Sequence, residues 1–553
     1  MKDWVLGLGG SDHDGSAALM HRCDIRVAIE EERLTRRKHG MSRFYDNPVQ
    51  RSVRYCLDAC GIALDDVDVV SSDLLSGRAR FEFRSRNLKF YPHHLCHAAA
   101  AYMMCPPASR AAILVYDGAG SIQGRTDDDP PRNVRETFTF YLFDNDKISC
   151  LGQTCGTGVR EHDDFPSSLN DSVGFLYEFV SGLLGFDVMD SGKTMGLAAH
   201  GTPRYVSEFE QYIGYGSTTE ACFRCELDSP DLRDTLEAIL RSNGGSFQVK
   251  ADIAASAQAI VNKTLLHVSQ FFDEQKFDVL CVSGGCALNT VANSHLVEKS
   301  RSNAPVIIPP HAGDSGLALG ALWLAAREKG EPVSFRGGNI SPAIARPGRV
   351  YTTAECHDAV RDHYPLLALD ASIENAEQLA REIACGSIVG LFNGPSEIGP
   401  RALGGRSILA DPRAALIREK LNRQVKHREP FRPLAPMILF ERFAEYFDDA
   451  RQSDPFMLKV ARATDRCKRE APAVVHIDGT ARIQVVDMNG DPFLRRLLDA
   501  FAKETGLPLI LNTSFNRRGE PIVETPDDAI DAFLAMKLDG LYLDGSFYRA
   551  VPS

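Results

Sequence analysis

The sequence has no hydrophobic run long enough to cross a membrane, and its N-terminus has no basic start followed by an apolar stretch. A bilayer-spanning helix needs about 20 apolar residues. A secretion signal needs a charged segment and then an apolar one, which MKDWVLGLGGSDHDG does not provide. We therefore expect a cytoplasmic protein with no membrane partner.

Basic residues are also too few to balance the acidic ones. The chain has 62 Lys and Arg against 74 Asp and Glu, a formal net charge of -12. Nucleic-acid-binding proteins usually carry a basic surface, so no nucleic-acid partner is expected. The 14 cysteines are scattered, which indicates neither a zinc ribbon nor a disulfide framework.

What is present is the pattern of a long α/β protein. At 553 residues the chain exceeds one hydrophobic core, so two or more domains are expected. Short apolar runs alternate with amphipathic helices, which is typical of α/β folds. The predicted strands are Trp4–Gly9, Ile25–Ile29, Ala111–Tyr116, Val279–Val282, Val306–Ile308, Ile388–Phe392 and Leu509–Leu511.

The same pattern predicts helices, a loop and a linker. The predicted helices are a segment marked by Val49, Val53 and Leu57, then Ser315–Arg327, and one near Glu374–Cys385. Trp4–Gly9 and Ile25–Ile29 are expected to pair across the glycine-rich turn GGSDHDGSAAL, whose glycines suit either phosphate binding or packing. Residues 123–135 are predicted to be an exposed loop, and residues 336–349 the main linker.

The segment richest in chemistry is 393–432, which contains NGPSEIGPRALGGRSILADPR and VKHREPFRP. Its cations stand beside glycine and proline rather than acids. They are Arg401, Arg406, Arg413, Lys426, Arg428 and Arg432, with Gly394, Gly399, Gly404 and Gly405 between them. Glycine lets main-chain N–H groups approach a ligand, and guanidinium groups bind phosphate bidentately. The segment predicts a small-anion site; the alternative is a set of structural Arg–carboxylate pairs.

A second candidate site combines histidine with aspartate. His93 and His97 are four residues apart in HHLCHAAAAY, so a helix places both imidazoles on one face. Asp117 ends an apolar strand, and Asp314 opens the glycine-rich turn GDSGLALG. Together these groups could hold a divalent first-row metal. The histidine pair alone is more commonly explained as two surface residues.

These segments resemble the O-carbamoyltransferases of the NodU/CmcH family, which carbamoylate hydroxyls of nodulation factors and antibiotics. The matching motifs run through nearly the whole chain. They are GLGGSDHDGSAAL, EEERLTRRKH, HHLCHAAAAY, YDGAGS, SGKTMGLAAHG, VSGGCALN, GDSGLALG, GPRALGGRSILADPR, VKHREPFRPLAP, HIDGTARIQVV and LNTSFNRRGEPIVETP.

The resemblance implies an α/β fold in two parts. Residues 1–345 would form a TsaD-like domain with the duplicated α/β core of actin and sugar kinases (ASKHA), and residues 346–553 a YrdC-like domain. The second domain would make carbamoyl-adenylate from ATP, with Mg²⁺, and carbamoyl phosphate. The first would transfer the carbamoyl group to a hydroxyl of a small-molecule acceptor, as in antibiotic biosynthesis.

The resemblance also implies residue roles. Lys38, Arg401, Lys426, Arg432, Arg482, Asn512 and Ser514 match the positions that hold the anions and the adenylate. His93, His97, Asp117 and Asp314 match the metal ligands, with Fe²⁺ expected. His13 in SDHDGS matches the general base, a role that its ordinary pKa suits, and Asp12 is the nearest other candidate.

Some alternatives stay open at this point. Without the resemblance, His13 is read as a turn residue, and the basic run Arg33–His39 is either part of an acceptor pocket or solvated. An ASKHA-type phosphotransferase would explain the N-terminal fold but would give the basic C-terminal segment no function. A TsaD-like tRNA-modifying enzyme would account for both chemistries, but the acidic balance counts against it. A homodimer is also considered.

Overall fold

The structure is a computed structural model of the chain. It describes residues 3–10, 13–40, 49–73, 83–128, 131–144, 147–158, 161–162, 165–166, 168–187, 189–227, 229–330, 332–336 and 343–551. Among these residues, no helix is both long and apolar enough to span a bilayer.

The strands lie throughout the chain. They are β1 (Trp4–Gly9), β2 (Ser16–His21), β3 (Asp24–Glu30), β4 (Val67–Asp73), β5 (Asn87–Tyr91), β6 (Arg110–Tyr116), β7 (Ile122–Arg125), β8 (Asn133–Asp144), β9 (Lys147–Thr157), β10 (Glu161–His162), β11 (Phe165–Pro166), β12 (Ile213–Tyr215), β13 (Phe223–Cys225), β14 (Val279–Ser283), β15 (Val306–Ile307), β16 (Ser334–Phe335), β17 (Leu367–Leu369), β18 (Val389–Phe392), β19 (Arg406–Ala410), β20 (Ala435–Leu439), β21 (Val460–Arg462), β22 (Thr480–Arg482), β23 (Gln484–Val486), β24 (Leu509–Ser514), β25 (Gly540–Leu543) and β26 (Ser546–Ala550).

The α-helices alternate with these strands. They are α1 (Glu31–Thr35), α2 (Gln50–Cys60), α3 (His93–Tyr102), α4 (Val173–Leu183), α5 (Ser191–Ala198), α6 (Val206–Glu210), α7 (Pro230–Ser242), α8 (Phe247–Ser269), α9 (Thr290–Lys299), α10 (Leu317–Arg327), α11 (Thr353–Asp362), α12 (Ala376–Ala384), α13 (Leu416–Glu419), α14 (Phe443–Tyr446), α15 (Asp465–Glu470), α16 (Pro492–Thr505) and α17 (Pro526–Met536).

The chain divides into two compact units. Unit 1 comprises Met1–Ser11, Ser16–Ile25 and Ala63–Ser341. Unit 2 comprises Asp12–Gly15, Arg26–Ile62 and Pro342–Ser553. The later division, after residue 341, falls inside the expected linker. The two early segments, which carry His13 and Lys38, group with the C-terminal half.

Unit 1 repeats one sheet arrangement. The first sheet has the order β16-β3-β2-β1-β4-β5, and only Asp24 and Ile25 of β3 belong to this unit. The second has the order β15-β14-β6-β8-β7, with β9 also paired to β8. In each, a central strand pairs antiparallel on one side and parallel on the other: β1 with β2 and β4, and β6 with β8 and β14. This repetition confirms the predicted duplicated α/β core.

Small residues let the helices of unit 1 lie close to their neighbours. A Cβ on Gly7 would stand 2.3 Å from the Ala318 oxygen of α10, and one on Gly9 would stand 2.5 Å from the Ala318 nitrogen. A Cβ on Gly320 would stand 1.9 Å from the Cys96 oxygen of α3. These glycines therefore serve packing, which brings α10 against both β1 and the histidine-bearing helix.

Unit 2 is built on one eight-stranded mixed sheet with the order β17-β26-β25-β18-β19-β24-β20-β23. Apolar residues of its central strands, such as Leu391, Leu409 and Leu511, are fully buried. They form one core with residues of α12, α16 and α17, including Leu379, Leu497 and Phe533. The predicted fold class, α/β in both halves, is confirmed.

Two sequence predictions about strands were wrong. Trp4–Gly9 pairs with Ser16–His21 rather than with Ile25–Ile29, because SAALMH is itself a buried strand. Its small residues carry little β-propensity, and burial decides their conformation. Residues 123–135 are not one loop, since β7 reaches Arg125 and β8 begins at Asn133, pairing with each other.

All 14 cysteines are free thiols in the structure. Cys222 and Cys225 have a C-x-x-C spacing, which is compatible with a metal or redox site. Both are buried, and burial raises the pKa of each thiol. Thr154 Oγ1 lies 3.1 Å from Cys222 Sγ. They are packing residues around β13.

Candidate functional site

The histidine–aspartate cluster lies in unit 1, where three elements place its side chains. His93 and His97 stand on successive turns of α3. Asp117 follows the last residue of β6, and Asp314 begins a 3-10 turn, Asp314–Gly316, that leads into α10. The i, i+4 spacing on a helix buries both imidazoles, each with at most 1% exposed surface. Surface histidines, the alternative reading, are therefore excluded.

The four side chains converge on one point. His93 Nε2 lies 3.2 Å from His97 Nε2, 3.3 Å from Asp117 Oδ2 and 3.7 Å from Asp314 Oδ1. His97 Nε2 lies 3.8 Å from Asp117 Oδ2 and 3.5 Å from Asp314 Oδ1. Ligands about 2.1 Å from a metal are separated by distances of this order. The donor set therefore fits a single divalent ion.

Neighbouring groups orient these donors. Asp73 Oδ2, at the end of β4, lies 3.1 Å from His93 Nδ1, which leaves the Nε2 lone pair for a ligand bond. Gly285 N–H donates to Asp117 Oδ1 at 2.7 Å, so Oδ2 remains free to face the cluster. Carboxylates that hold a histidine ligand in this way are a regular part of metal sites. Asp73 was missed in the sequence because it has no motif of its own.

The electrostatics of the cluster favour a cation. Burial lowers the pKa of His93, but the carboxylates of Asp314, Asp117 and Asp73 outweigh it and raise that pKa well above its ordinary value. Burial raises the pKa of Asp117, but hydrogen bonding to His93 and the charges of the histidines bring it well below the usual range. The carboxylates thus concentrate negative charge around His93 Nε2 and His97 Nε2, which favours binding of a cation.

A second cluster, the cation cluster, lies in unit 2 and consists of Arg401, Lys426, Arg428, Arg432 and Arg482. Arg401 lies in the loop between β18 and β19, Arg482 ends β22, and Lys426 follows a π-helical turn, Lys420–Val425. Arg428 and Arg432 lie between that turn and β20. Three separate segments of unit 2 therefore contribute these side chains.

Burial and neighbouring positive charges lower the pKa values of four of these five side chains. Burial, followed by the charges of Arg432 and Arg482, lowers the pKa of Arg428 to about 9. Burial and Arg432 lower that of Arg482 to about 10. The pKa values of Arg401 and Lys426 fall well below their ordinary values for the same reasons. Buried like charges are costly unless an anion joins them.

Amide and hydroxyl groups complete the cation cluster. Lys426 Nζ donates to Ser514 O and to Asn516 Oδ1, both at 2.7 Å. Asn512 Nδ2 donates to Gln484 Oε1 at 2.8 Å and to Ala402 O at 3.2 Å. Its Oδ1 atom is buried without a hydrogen-bond partner among the residues described. The structure thus brings Asn512 beside the Arg401 loop and Ser514 beside Lys426.

Two cations of the basic segment, Arg406 and Arg413, have structural partners within the protein. Arg406 is fully buried and donates to Gly394 O at 2.8 Å and to Glu524 O at 3.2 Å. Arg413 is paired with Asp411. The alternative of structural pairing therefore applies to these two residues, because their carbonyl and carboxylate partners lie within reach of the side chain.

The segment's glycine N–H groups are also already occupied. Gly405 N–H donates to Glu397 Oε1 at 2.7 Å, and Gly399 N–H donates to Glu30 Oε1 at 3.1 Å. Glu397 Oε1 also accepts from Leu403 and Arg406 N–H. The buried Glu397 carboxylate thus occupies main-chain N–H groups, including that of Gly405, that the sequence analysis assigned to a ligand. These two glycine N–H groups are therefore not available to a ligand.

Two partners in the cation cluster were not among the predicted site residues. Asn516 contacts Lys426, and Arg428 donates to Asn422 Oδ1 at 2.8 Å through Nε. Arg428 Nη2 is buried with no hydrogen-bond partner among the described residues. Arg428 lies in the basic segment, so its charge could have identified it as a site residue. No feature of the sequence singles out Asn516 in the same way.

The remaining predicted residues lie in the early segments of unit 2. His13 Nδ1 lies 3.2 Å from Asp14 Oδ2. Lys38 is exposed in a 3-10 turn, Lys38–Gly40. Asp12 lies outside the described residues.

The run Arg33–His39 divides into buried and exposed residues. Arg33 is buried and donates to Gly399 O at 2.8 Å, while Arg36 donates to Ile522 O at 2.7 Å. Arg37 is exposed. Arg33 and Arg36 thus hold the loops that carry Arg401 and follow Ser514, and neither is solvated as one reading of the run proposed.

Comparison with known proteins places the chain in a family. The family model for the carbamoyltransferase N-terminus matches residues 72–323, and that for the carbamoyltransferase C-terminus matches residues 380–549. Nodulation protein NolNO of Sinorhizobium fredii is 33% identical over 97% of this chain and 78% of its own length. Nodulation protein NolO of Bradyrhizobium diazoefficiens is 35% identical over 83% and 79%. The chain therefore belongs to the carbamoyltransferase family.

It is accordingly a carbamoyltransferase, an enzyme that takes a carbamoyl donor and an acceptor. Among solved structures, full-length HypF in a phosphate- and nucleotide-bound form is similar at 15% identity, with a TM-score of 0.42, over 60% of this chain and 56% of that chain. Component A of the Acidaminococcus fermentans (R)-2-hydroxyglutaryl-CoA dehydratase gives a TM-score of 0.34 over 59% of this chain and 99% of that one. Both scores are below 0.5, so the fold description rests on the chain's own sheets.

Proposed function

We propose that this carbamoyltransferase works in two steps. In the first, ATP, accompanied by Mg²⁺, and carbamoyl phosphate yield carbamoyl-adenylate, with release of phosphate and pyrophosphate. In the second, the carbamoyl group passes to a hydroxyl of a small molecule, of the kind made in antibiotic or other natural-product biosynthesis, and AMP leaves.

The observation that carries the proposal is the buried cation cluster. Five basic side chains share one region of unit 2, and burial together with neighbouring positive charges lowers the pKa values of Arg401, Lys426, Arg428 and Arg482. One carboxylate, Glu429, reaches Arg432 Nε at 3.3 Å. Such an excess of buried positive charge is stabilised by a polyanion of the size of a triphosphate.

The chemistry of the first step suits these groups. Water first hydrolyses carbamoyl phosphate to carbamate and phosphate. A carbamate oxygen then attacks the α-phosphorus of ATP as the bond to pyrophosphate breaks, which places extra charge on the phosphate oxygens and on the leaving pyrophosphate. Guanidinium and ammonium groups fixed around those oxygens stabilise that charge without reorganising during the reaction. Asn512 Oδ1, buried and unpaired among the described residues, would accept a hydrogen bond from the ligand.

The second step needs a base and a site for the acceptor. His13 would take the proton of the acceptor hydroxyl as its oxygen attacks the carbamoyl carbon, with Lys38 binding the adenylate. A divalent metal held by His93, His97, Asp117 and Asp314, for which we propose Fe²⁺, would supply a Lewis acid and a template for transfer. These residues do not contribute to pyrophosphate release in this proposal.

The test is pyrophosphate release from ATP in the absence of any acceptor. We expect release only when carbamoyl phosphate is present, together with AMP-containing products. Formation of ADP would instead indicate a kinase-like phosphotransferase. Release that required threonine and tRNA would indicate a TsaD-like tRNA-modifying enzyme. Acceptors can then be sought in a panel of a chito-oligosaccharide, an aminoglycoside, a macrolactam and a cephem, by the mass gain of one carbamoyl group.

Lys426→Ala and Arg432→Ala are expected to lower the rate of pyrophosphate release by ten- to a hundred-fold or more. Each removes a charge-assisted contact to an anion, which contributes about 1.5–3 kcal/mol. Arg413→Ala is the matched control from the same segment, because Arg413 pairs with Asp411 outside the cluster. Native rates of pyrophosphate release in the first two variants would contradict the assignment of the anion site.

A further inference from the structure

The turn that carries His13 centres on one carboxylate. Asp14 Oδ2 lies 3.2 Å from His13 Nδ1, and Asp14 Oδ1 lies 3.1 Å from His39 Nδ1. One carboxylate therefore faces two imidazoles, with one oxygen for each. All three residues belong to unit 2.

Backbone hydrogen bonds fix this carboxylate in place. Asp14 N–H donates to His39 O at 2.7 Å, and His39 N–H donates to Glu32 Oε2 at 2.6 Å. Asp14 and His39 both have a left-handed backbone, with φ of 49° and 62°. That conformation is unfavourable for residues with a side chain and persists only where the surroundings hold it. The turn at Asp14 and the segment at His39 thus stabilise each other's backbone conformation.

This arrangement determines which nitrogen of His13 can act as a base. An ionised carboxylate only accepts hydrogen bonds, so His13 Nδ1 must carry a proton and Nε2 is left with the lone pair. Burial raises the pKa of Asp14, but the hydrogen bonds from His13 and His39 outweigh it and hold that pKa well below its ordinary value. Asp14 is therefore ionised at neutral pH.

We propose that Asp14 is the positioning residue for His13, holding its ring with Nε2 as the proton acceptor and stabilising the imidazolium formed during transfer. The proposal rests on the function proposed above. As the acceptor oxygen bonds to the carbamoyl carbon, its proton moves to His13 Nε2 and the bond to the AMP oxygen breaks. Asp14 stays ionised throughout, and His13 later returns the proton to solvent.

Within the described part of the chain, the charged groups that act on Asp14 are His13, His39 and Glu32, and Glu30 acts on Glu32 in turn. Burial, then the charges of Glu30 and Asp14, raise the pKa of Glu32 to about 7. Glu32 can thus titrate in the same range as a histidine. A pH profile must therefore be repeated in Glu32→Gln and His39→Asn, which remove the two neighbouring titrations and leave Asp14 charged.

The first test uses the full chain without substrates. Histidine rings labelled with ¹⁵N are followed by NMR in the native protein, Asp14→Asn, Asp14→Glu and His39→Asn, with His13→Asn to assign the signal. We expect neutral His13 to be protonated on Nδ1 in the native protein. In Asp14→Asn that tautomer should be lost and His13 should titrate at lower pH, while Asp14→Glu restores the charge and the higher value. An unchanged tautomer and titration in Asp14→Asn would overturn the proposal.

The second test measures the two half-reactions separately. Asp14→Asn is expected to keep native pyrophosphate release and to lower carbamoyl transfer by up to about 10⁴-fold, the effect of replacing the orienting aspartate of a Ser-His-Asp triad by asparagine. Transfer is measured to the panel compound that gains a carbamoyl group with the native enzyme. Equal loss of both half-reactions, or native transfer, would overturn the role of Asp14. A native enzyme that released no pyrophosphate would contradict the proposed function and leave the NMR result standing.

A bound cation is the competing use of this turn. Donor atoms of Asp14, Glu32 and His39 all lie within 4.8 Å of one another. Titration with Mn²⁺ should leave the His39 ring signal sharp if Asp14 serves the histidines. Selective broadening of that signal at micromolar Mn²⁺ would show that the carboxylate binds a metal, and would overturn the proposal.

Discussion

His93→Ala and Asp314→Ala are each expected to stop carbamoyl transfer while pyrophosphate release stays at the native rate. Both residues contribute to the four-donor cluster of unit 1, whereas the cation cluster lies in unit 2. Loss of an outer-sphere partner costs about 10–100-fold in metal affinity, and a direct ligand should cost at least as much. The measurements are metal content by elemental analysis and the two half-reactions in parallel.

His357→Ala is the control for this pair, because His357 is an exposed histidine of α11 and should leave metal content and both rates unchanged. Loss of pyrophosphate release in His93→Ala or Asp314→Ala would contradict the division of labour between the two clusters. A native protein free of metal, with activity insensitive to chelators, would show that the four side chains serve structure alone.

His13→Asn is expected to lower the rate of carbamoyl transfer by roughly 10²–10⁴-fold, the usual contribution of a general base. Asparagine suits a turn, so folding and pyrophosphate release should persist. In the native enzyme the transfer rate should fall as the pH drops through the pKa of the base, because only neutral imidazole accepts a proton. The variant should lose that inflection. Rate–pH profiles of transfer, from about pH 5 to pH 9, provide the measurement.

A His13→Asn variant with near-native transfer and an unchanged pH profile would show that His13 is a turn residue. Asp12 would then be the next residue to replace. His357→Asn again serves as the control, since it makes the same chemical change on an exposed face.

The metal cluster was predictable because each part has a local signature. A four-residue histidine spacing on a helix and aspartates at the ends of apolar segments are visible in the chain itself. Asp73 was not predictable. It lies 20 residues before His93 and reaches its Nδ1 only because β4 ends beside the start of α3. Outer partners of this kind depend on the packing of a strand against a helix.

The basic segment shows what the sequence did not reveal about a predicted site. Its charge predicts an anion site, which stays a prediction, and two of its glycine amides have partners within the protein. Glu397 stands in the same segment and accepts from the Leu403, Gly405 and Arg406 N–H groups, while Gly399 N–H donates to Glu30, and sequence spacing does not reveal these partners. Arg406 likewise donates to Glu524 O, which is 118 residues away in the chain.

The sequence by itself determined the α/β class, the family and the identity of most side chains in the two clusters, because periodicity and motif order are properties of neighbouring residues. Only the tertiary structure decided that Arg406 and Arg413 of the basic segment are paired within the protein and that two early segments group with the C-terminal half. It also decided that Asp14 faces both His13 and His39. The physical reason is that buried charges and amides must find partners, and those partners come from residues tens to hundreds of positions apart.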